Sequence, residues 1–191
     1  MDEATRKRLA DFVKPLHQDL DGVSRSADVA RVSTIARRLH SPLSVVEDRR
    51  FDLLLQFQNL ESWLGRLGNI SRAALMIGPP VAEQDLVWVL KALRRLDEPG
   101  SAEEKALATA IRIDRGGIRG LVEAFGSARR LGATIMEIAR DESEGDVDLP
   151  SWIEGDAARW LRQRSEARRV LCRALMRETE GADLDQSDQG R

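Results

Sequence analysis

The segment from Ser41 to Leu67 constrains the fold more than any other part of the chain. Val46, Leu53, Phe57, Leu60, Leu64 and Leu67 recur at helical spacing after one early gap, drawing an apolar ridge along a helix. Leu43, Phe51, Leu54 and Leu55 form a second ridge, which leaves Asp48, Asp52, Gln56 and Asn59 as a polar strip. A helix apolar on two sides is expected to be buried, with other helices packed around it. Ser41 caps this predicted helix, Pro42 takes its first position, where a missing N–H costs little, and Gly68 closes it.

The other segments carry the same periodicity and no run of alternating β-branched residues, so the fold class reads as all-α. Helices are expected over Glu3 to about Leu20 with a bend at Pro15, and over Ala27–Leu39 with Ser26 as N-cap. Asn69 precedes Ile70–Ile77, which Gly78-Pro79-Pro80 ends, and Ala82–Leu96 follows. Ser101 and Glu104 have capping-box spacing for a helix through Ile113. Beyond Gly116-Gly117, the repeat of Ile118, Leu121, Phe125, Ala128, Gly132, Ile135 and Ala139 predicts one helix. Asp141–Asp148 reads as a solvated acidic loop, and Ser151 with Glu154 opens a last helix to about Glu178. The expected architecture is a single-domain bundle over residues 1–178, about seven helices around the Ser41–Leu67 helix, with a disordered acidic tail over 179–191.

A chain of 191 residues that is 42% hydrophobic can bury a sizeable core. Its net charge is only −2 although 32% of residues are charged, so any electrostatic role must be local. Cys172 is the single cysteine, which excludes an intrachain disulfide and a cysteine-rich metal site. The first residues lack a signal-peptide pattern, and the longest apolar runs fall far short of the ~20 residues that span a bilayer. A cytoplasmic protein without membrane contact is expected. The excess of arginine over lysine is common in high-GC bacterial genomes and hints at such an origin.

The C-terminal helix offers the best candidate surface. Ile153, Ala157, Trp160, Ala167, Leu171 and Ala174 form its expected buried face, with Arg159, Arg162, Arg169, Arg173 and Arg177 on roughly the opposite side, interrupted by Glu166. Arginine grips phosphates or carboxylates with two parallel hydrogen bonds, so this stripe is the candidate anion- or partner-binding site. Trp152, beside the helix start, is the tryptophan expected at an interface. The acids Glu178, Glu180, Asp183, Asp185 and Asp188 lie just beyond the arginines, where a flexible tail would compete with an outside ligand.

Ser33-Thr34-Ile35-Ala36-Arg37-Arg38-Leu39 followed by Ser41-Pro42-Leu43-Ser44-Val45-Val46 resembles part of a helix-turn-helix motif, with Ile35, Ala36, Leu39 and Val46 at its packing positions. The resemblance implies DNA contact by the second helix. His40 replaces the usual turn glycine, Arg49 stands at an apolar position, and Glu47-Asp48 would repel phosphate, so two packed helices joined by a tight turn are favoured. His40 before Pro42-Leu43 faintly resembles the phosphoacceptor helix of sensor histidine kinases, with shorter spacing and no glycine-rich ATP-binding domain.

Catalytic constellations fail at named residues. Helical di-iron sites use Glu-x-x-His, but Lys14 and Arg37 stand three before His17 and His40. Helical ribonucleases of the HEPN type place arginine five before histidine, where this chain has Phe12 and Ile35. Asp48 and Asp52 share a helix face that reads as a solvated strip, Cys172 as a structural thiol, and Arg115–Gly120 as a hinge between helices. No catalytic, metal or cofactor site is therefore expected. The favoured function is a non-enzymatic interaction or scaffold subunit of a cytoplasmic complex, with a protein partner or a second copy. The alternatives are a nucleic-acid-associated subunit using the arginine stripe, and a small-molecule sensor or enzyme with an inter-helix pocket.

Overall fold

The computed structural model describes residues 1–17, 26–145 and 149–187. Among these residues there are ten α-helices, one 3-10 segment and no strand. The chain divides into two compact units, Met1–Ile111 and Arg112–Arg191.

In the first unit, α1 (Glu3–Val13) starts at Asp2, whose carboxylate accepts from the Thr5 amide at 2.7 Å. It gives way to a 3-10 turn (Lys14–His17) at Pro15, as a residue without an N–H dictates. The expected continuation to Leu20 lies outside the described residues. α2 (Ser26–Leu39) is followed by α3 (Val45–Gln56), α4 (Glu61–Leu64), α5 (Asn69–Ile77) and α6 (Glu83–Leu93). α7 (Ala102–Arg115), whose last four residues from Arg112 belong to the second unit, opens with the expected box: the Glu104 amide donates to Ser101 Oγ at 3.2 Å and the Ser101 amide to Glu104 Oε2 at 3.3 Å.

The central helix is shorter than its periodicity predicts. Ser44, not Ser41, is the N-cap, because Ser44 Oγ accepts from the Glu47 amide at 3.2 Å while Glu47 Oε2 reaches back to the Leu43 amide at 2.8 Å. Helix α3 ends at Gln56, and Asn59 adopts a left-handed conformation with φ 65° that no continuous helix accommodates. The single Ser41–Leu67 helix is thus replaced by a loop, α3 and the short α4. Leu43, Val46 and Leu67, assigned to its ridges, are exposed, whereas Phe51, Leu53, Leu54 and Leu55 are fully buried. α3 lies against α1, α2 and α6.

The polar strip is also divided. Asp52 is buried at 2% exposure, where Arg6 Nε of α1 donates to it at 2.8 Å and Arg37 of α2 pairs with its other oxygen. Asp48 is half-buried and pairs with Arg6 at 3.1 Å, Gln56 is half-buried, and Asn59 is exposed. Asp85, buried on α6, is held by Arg49 at 3.0 Å and Arg50 at 3.4 Å, both from α3. Gln58 is buried and donates to Val29 O, Ser33 Oγ and Leu55 O at 2.7–3.3 Å, tying the end of α3 to α2.

The second unit contains α8 (Ile118–Leu131), α9 (Ile135–Glu144) and α10 (Gly155–Ser187). The predicted Ile118–Ala139 helix is two helices. Gly132 takes φ 80°, and Thr134 starts α9 with a full capping box, accepting from the Glu137 amide at 3.2 Å and donating its own amide to Glu137 Oε2 at 2.7 Å. The expected acidic loop begins as the last turn of α9, and 146–148 lie outside the described residues. α10 starts at Gly155 rather than at Ser151, and its backbone continues through Ser187, past the expected end at Glu178.

Two stability tests follow from the first unit. Asp52→Asn removes the charge that Arg6 and Arg37 share; because both arginines are half in water, unfolding by urea should report a loss of about 2 kcal/mol rather than the ~3–5 typical of a fully buried pair. His17, buried, donates Nε2–H to Gln56 O at 2.7 Å, and burial lowers its pKa from the ordinary value. The unfolded chain then binds a proton more readily than the folded one, so stability should fall as pH drops below ~6.5, and His17→Gln should flatten that part of the urea-midpoint profile.

Candidate partner-binding surface

α10 is 33 residues long, about 50 Å at 1.5 Å per residue, and its two sides differ sharply. Ala158, Leu161 and Cys172 are buried, and Ser165, Arg168, Leu171, Leu175 and Met176 are half-buried beside them. Cys172 packs with Leu121 of α8 and Ala139 of α9, supported by Phe125, Leu171 and Met176. The buried face is therefore rotated from the one expected from sequence: Ala167 and Ala174 are exposed, and Ala157, Trp160 and Leu171 are only half-buried. Both faces satisfy the same three-and-four spacing. The observed one buries Leu161 and Cys172, while exposing two alanines forfeits little apolar area.

Rotation also brings in two arginines that the stripe does not contain. Arg164 Nη1 donates to Ile113 O at 3.2 Å, and Arg168 Nη1 donates to Arg115 O at 3.0 Å, so α10 supplies cations to the carbonyl end of α7. Arg168 also pairs with Glu142 of α9. The Arg115–Gly120 segment turns tightly here: a Cβ on Gly120 would lie 1.8 Å from Arg115 O, and one on Gly116 2.9 Å from Arg112 O and Leu161 Cδ1. Those contacts give its glycines a packing role at the turn.

The five stripe arginines lie along one side of α10. Arg159, Arg162, Arg173 and Arg177 are exposed, and Arg169 is half-buried. Asp156 pairs with Arg159 at 3.1 Å, while Glu166 is shared by Arg169 at 3.4 Å and Arg173 at 3.5 Å. Arg162 and Arg177 make no ion pair among the described residues. Between these cations run Gln163, Ala167, Val170 and Ala174, all exposed, with Val170 at 56%. The side of α10 away from its own core is therefore a shallow apolar strip edged by arginine.

Trp152 is half-buried, with the Arg112 guanidinium 5.7 Å from its ring centroid, and Arg164 stands 5.2 Å over Trp160. Trp63 is half-buried against Phe12 and Phe57. No group of three or more His, Cys, Asp or Glu able to hold a metal occurs among the described residues, and Asp48 and Asp52 face arginines instead. No helix among them is long and apolar enough to cross a membrane. No protein-family model, curated protein or solved structure matches this chain.

Burial pushes the Cys172 thiol above its ordinary pKa, and the nearby Glu142 carboxylate adds to the shift. A buried, protonated thiol is a poor nucleophile. Labelling with a water-soluble disulfide reagent at pH 8 should be at least about 100-fold slower in the native chain than in urea, and fast native labelling would refute this packing.

Proposed function

We propose that this chain is a non-enzymatic interaction or scaffold subunit of a cytoplasmic complex, and that it meets a protein partner through the outward side of α10. The observation that supports the reading is the combination on that side: Val170 exposed between Ala167 and Ala174, edged by Arg159, Arg162, Arg173 and Arg177. Small apolar residues let a second helix approach closely, and arginines around them select a partner rich in carboxylates. Glu166 neutralises part of the stripe from within, which favours a mixed protein surface over a phosphate backbone.

A nucleic-acid-associated role is the second reading, favoured by the arginines' reach of about 27 Å along the helix and by the absence of an ion pair at Arg162 and Arg177 among the described residues. A photo-crosslinking residue placed at position 170 of the full chain, expressed in its native host, separates the two. The protein reading expects a discrete protein adduct that Arg162→Glu with Arg177→Glu reduces at least about fivefold. Crosslinks to RNA or DNA would transfer the surface to the second reading, and no adduct of either kind would remove both.

A further inference from the structure

We infer that the two thioethers between α9 and α10, Met136 and Met176, form a reversible oxidation site at which a peroxide releases α9 from α10. α9 packs along α10 more extensively than any other pair of helices among the described residues. Met136 of α9 touches Thr179 of α10 whereas Ser143 touches Met176, so the two helices run antiparallel, with Ala139 and Cys172 packed together in the same seam. Met136, Ala139 and Ser143 on one side, and Cys172, Met176 and Thr179 on the other, have the three-and-four spacing of a single helix face. α9 depends on that seam. It has ten residues, fewer than the ~12–15 at which an isolated helix becomes even marginal in water, and Ala139 is its one fully buried side chain. Met136, half-buried, and Met176, half-buried against the Leu121, Ala139 and Cys172 cluster with Phe125 and Leu171, supply much of the remaining apolar contact.

Each sulfur lies against a hydroxyl of the opposite helix. Thr179 Oγ1 is 3.2 Å from Met136 Sδ and Ser143 Oγ is 3.7 Å from Met176 Sδ, yet each hydroxyl has a closer acceptor on its own helix, Leu175 O at 2.5 Å and Arg140 O at 2.8 Å. A hydroxyl has one proton and a thioether is a weak acceptor, so the proton goes to the carbonyl and the sulfurs act as apolar packing groups. Both are only half-buried, open to a small oxidant, whereas Cys172 beside them is covered. The sulfur lone pair attacks one oxygen of hydrogen peroxide; the S–O bond forms as the O–O bond breaks, a proton passes to the departing hydroxide, and water leaves. Sulfur loses two electrons, the peroxide gains them, and the product is a polar, chiral sulfoxide. Its oxygen is a strong acceptor that burial would leave unpaired. No further oxygen fits between sulfur and hydroxyl at 3.2 Å, so the sulfoxide turns outward to water and takes its side chain out of the seam.

The full chain treated with millimolar hydrogen peroxide, mapped by peptide mass spectrometry and followed by amide hydrogen exchange, tests the site. Met136 and Met176 should each gain one oxygen, and the amides of α9 should exchange at least about tenfold faster. α5, whose Met76 is 60% exposed and oxidises as well, should keep its protection. Methionine sulfoxide reductases should restore slow exchange in α9. Met136→Leu with Met176→Leu keeps an apolar side chain at both positions and should leave α9 indifferent to peroxide. Oxidation of both thioethers without faster exchange in α9 overturns the inference, as does acceleration that persists in the leucine variant or survives the reductases. A treated chain in which Met76 is oxidised while Met136 and Met176 are not overturns it too.

Discussion

Asp52 is an ionised group in the interior of the first unit, and the arrangement of α1, α2 and α3 depends on how its charge is kept there. A lone buried carboxylate costs several kcal/mol, so the position is tenable only with cations brought to it. Arg6 comes from α1 and Arg37 from α2, each to one oxygen. Asp85 repeats the device on α6 with Arg49 and Arg50 of α3, and Glu104 repeats it with Arg95 at 2.6 Å and the amide of Gly100 at 2.7 Å. Apolar burial supplies the larger share of the driving force. These clamps fix which neighbour each helix takes, since an apolar face alone tolerates several rotations.

Arginine serves a second purpose at helix ends. Arg8 of α1 donates to Ile77 O at 2.7 Å and Pro79 O at 3.0 Å beyond the end of α5, and Arg164 and Arg168 treat the end of α7 in the same way. The last carbonyls of a helix lack internal partners, and a cation placed there satisfies both their hydrogen bonding and the helix dipole. The residues that bind a partner in the proposed reading and those that hold the fold are thus one residue type in two settings. Burial and the nearest acceptor, not identity, separate them.

The all-α class, the break at Pro15, the Ser101–Glu104 box and the burial of Phe51, Leu54 and Leu55 were legible in periodicity and capping chemistry. The boundaries that failed did so where two signals competed. Ser41-Pro42 and Ser44-x-x-Glu47 both mark a helix start, and the second won because Ser44 Oγ accepts from the Glu47 amide while Glu47 holds the Leu43 amide just before it. The three-and-four repeat runs straight through Asn59 and Gly132, so it masked two breaks that a left-handed asparagine and a Gly-x-Thr-x-x-Glu pattern could have flagged. The rotation of α10 was not readable at all. Leu161, Arg164, Arg168 and Cys172 have the same spacing as the face first expected, and the choice between them is made by tertiary partners on α7, α8 and α9.

The forked arginine contacts limit how this sequence can change over time. Arg8 reaches two carbonyls at the end of α5, and Arg168 reaches Arg115 O and Glu142 from α7 and α9, which a single ammonium on a flexible stem does not reproduce. Drift from arginine to lysine is therefore closed at those positions, although it is open on ordinary surface. A distant homologue with little remaining identity should still carry the pairs as joint gains and losses: Arg6 and Arg37 with Asp52, Arg49 with Asp85, Arg168 with Glu142. Such correlated positions form a fingerprint by which the lineage of this chain can be traced after its hydrophobic residues have been shuffled.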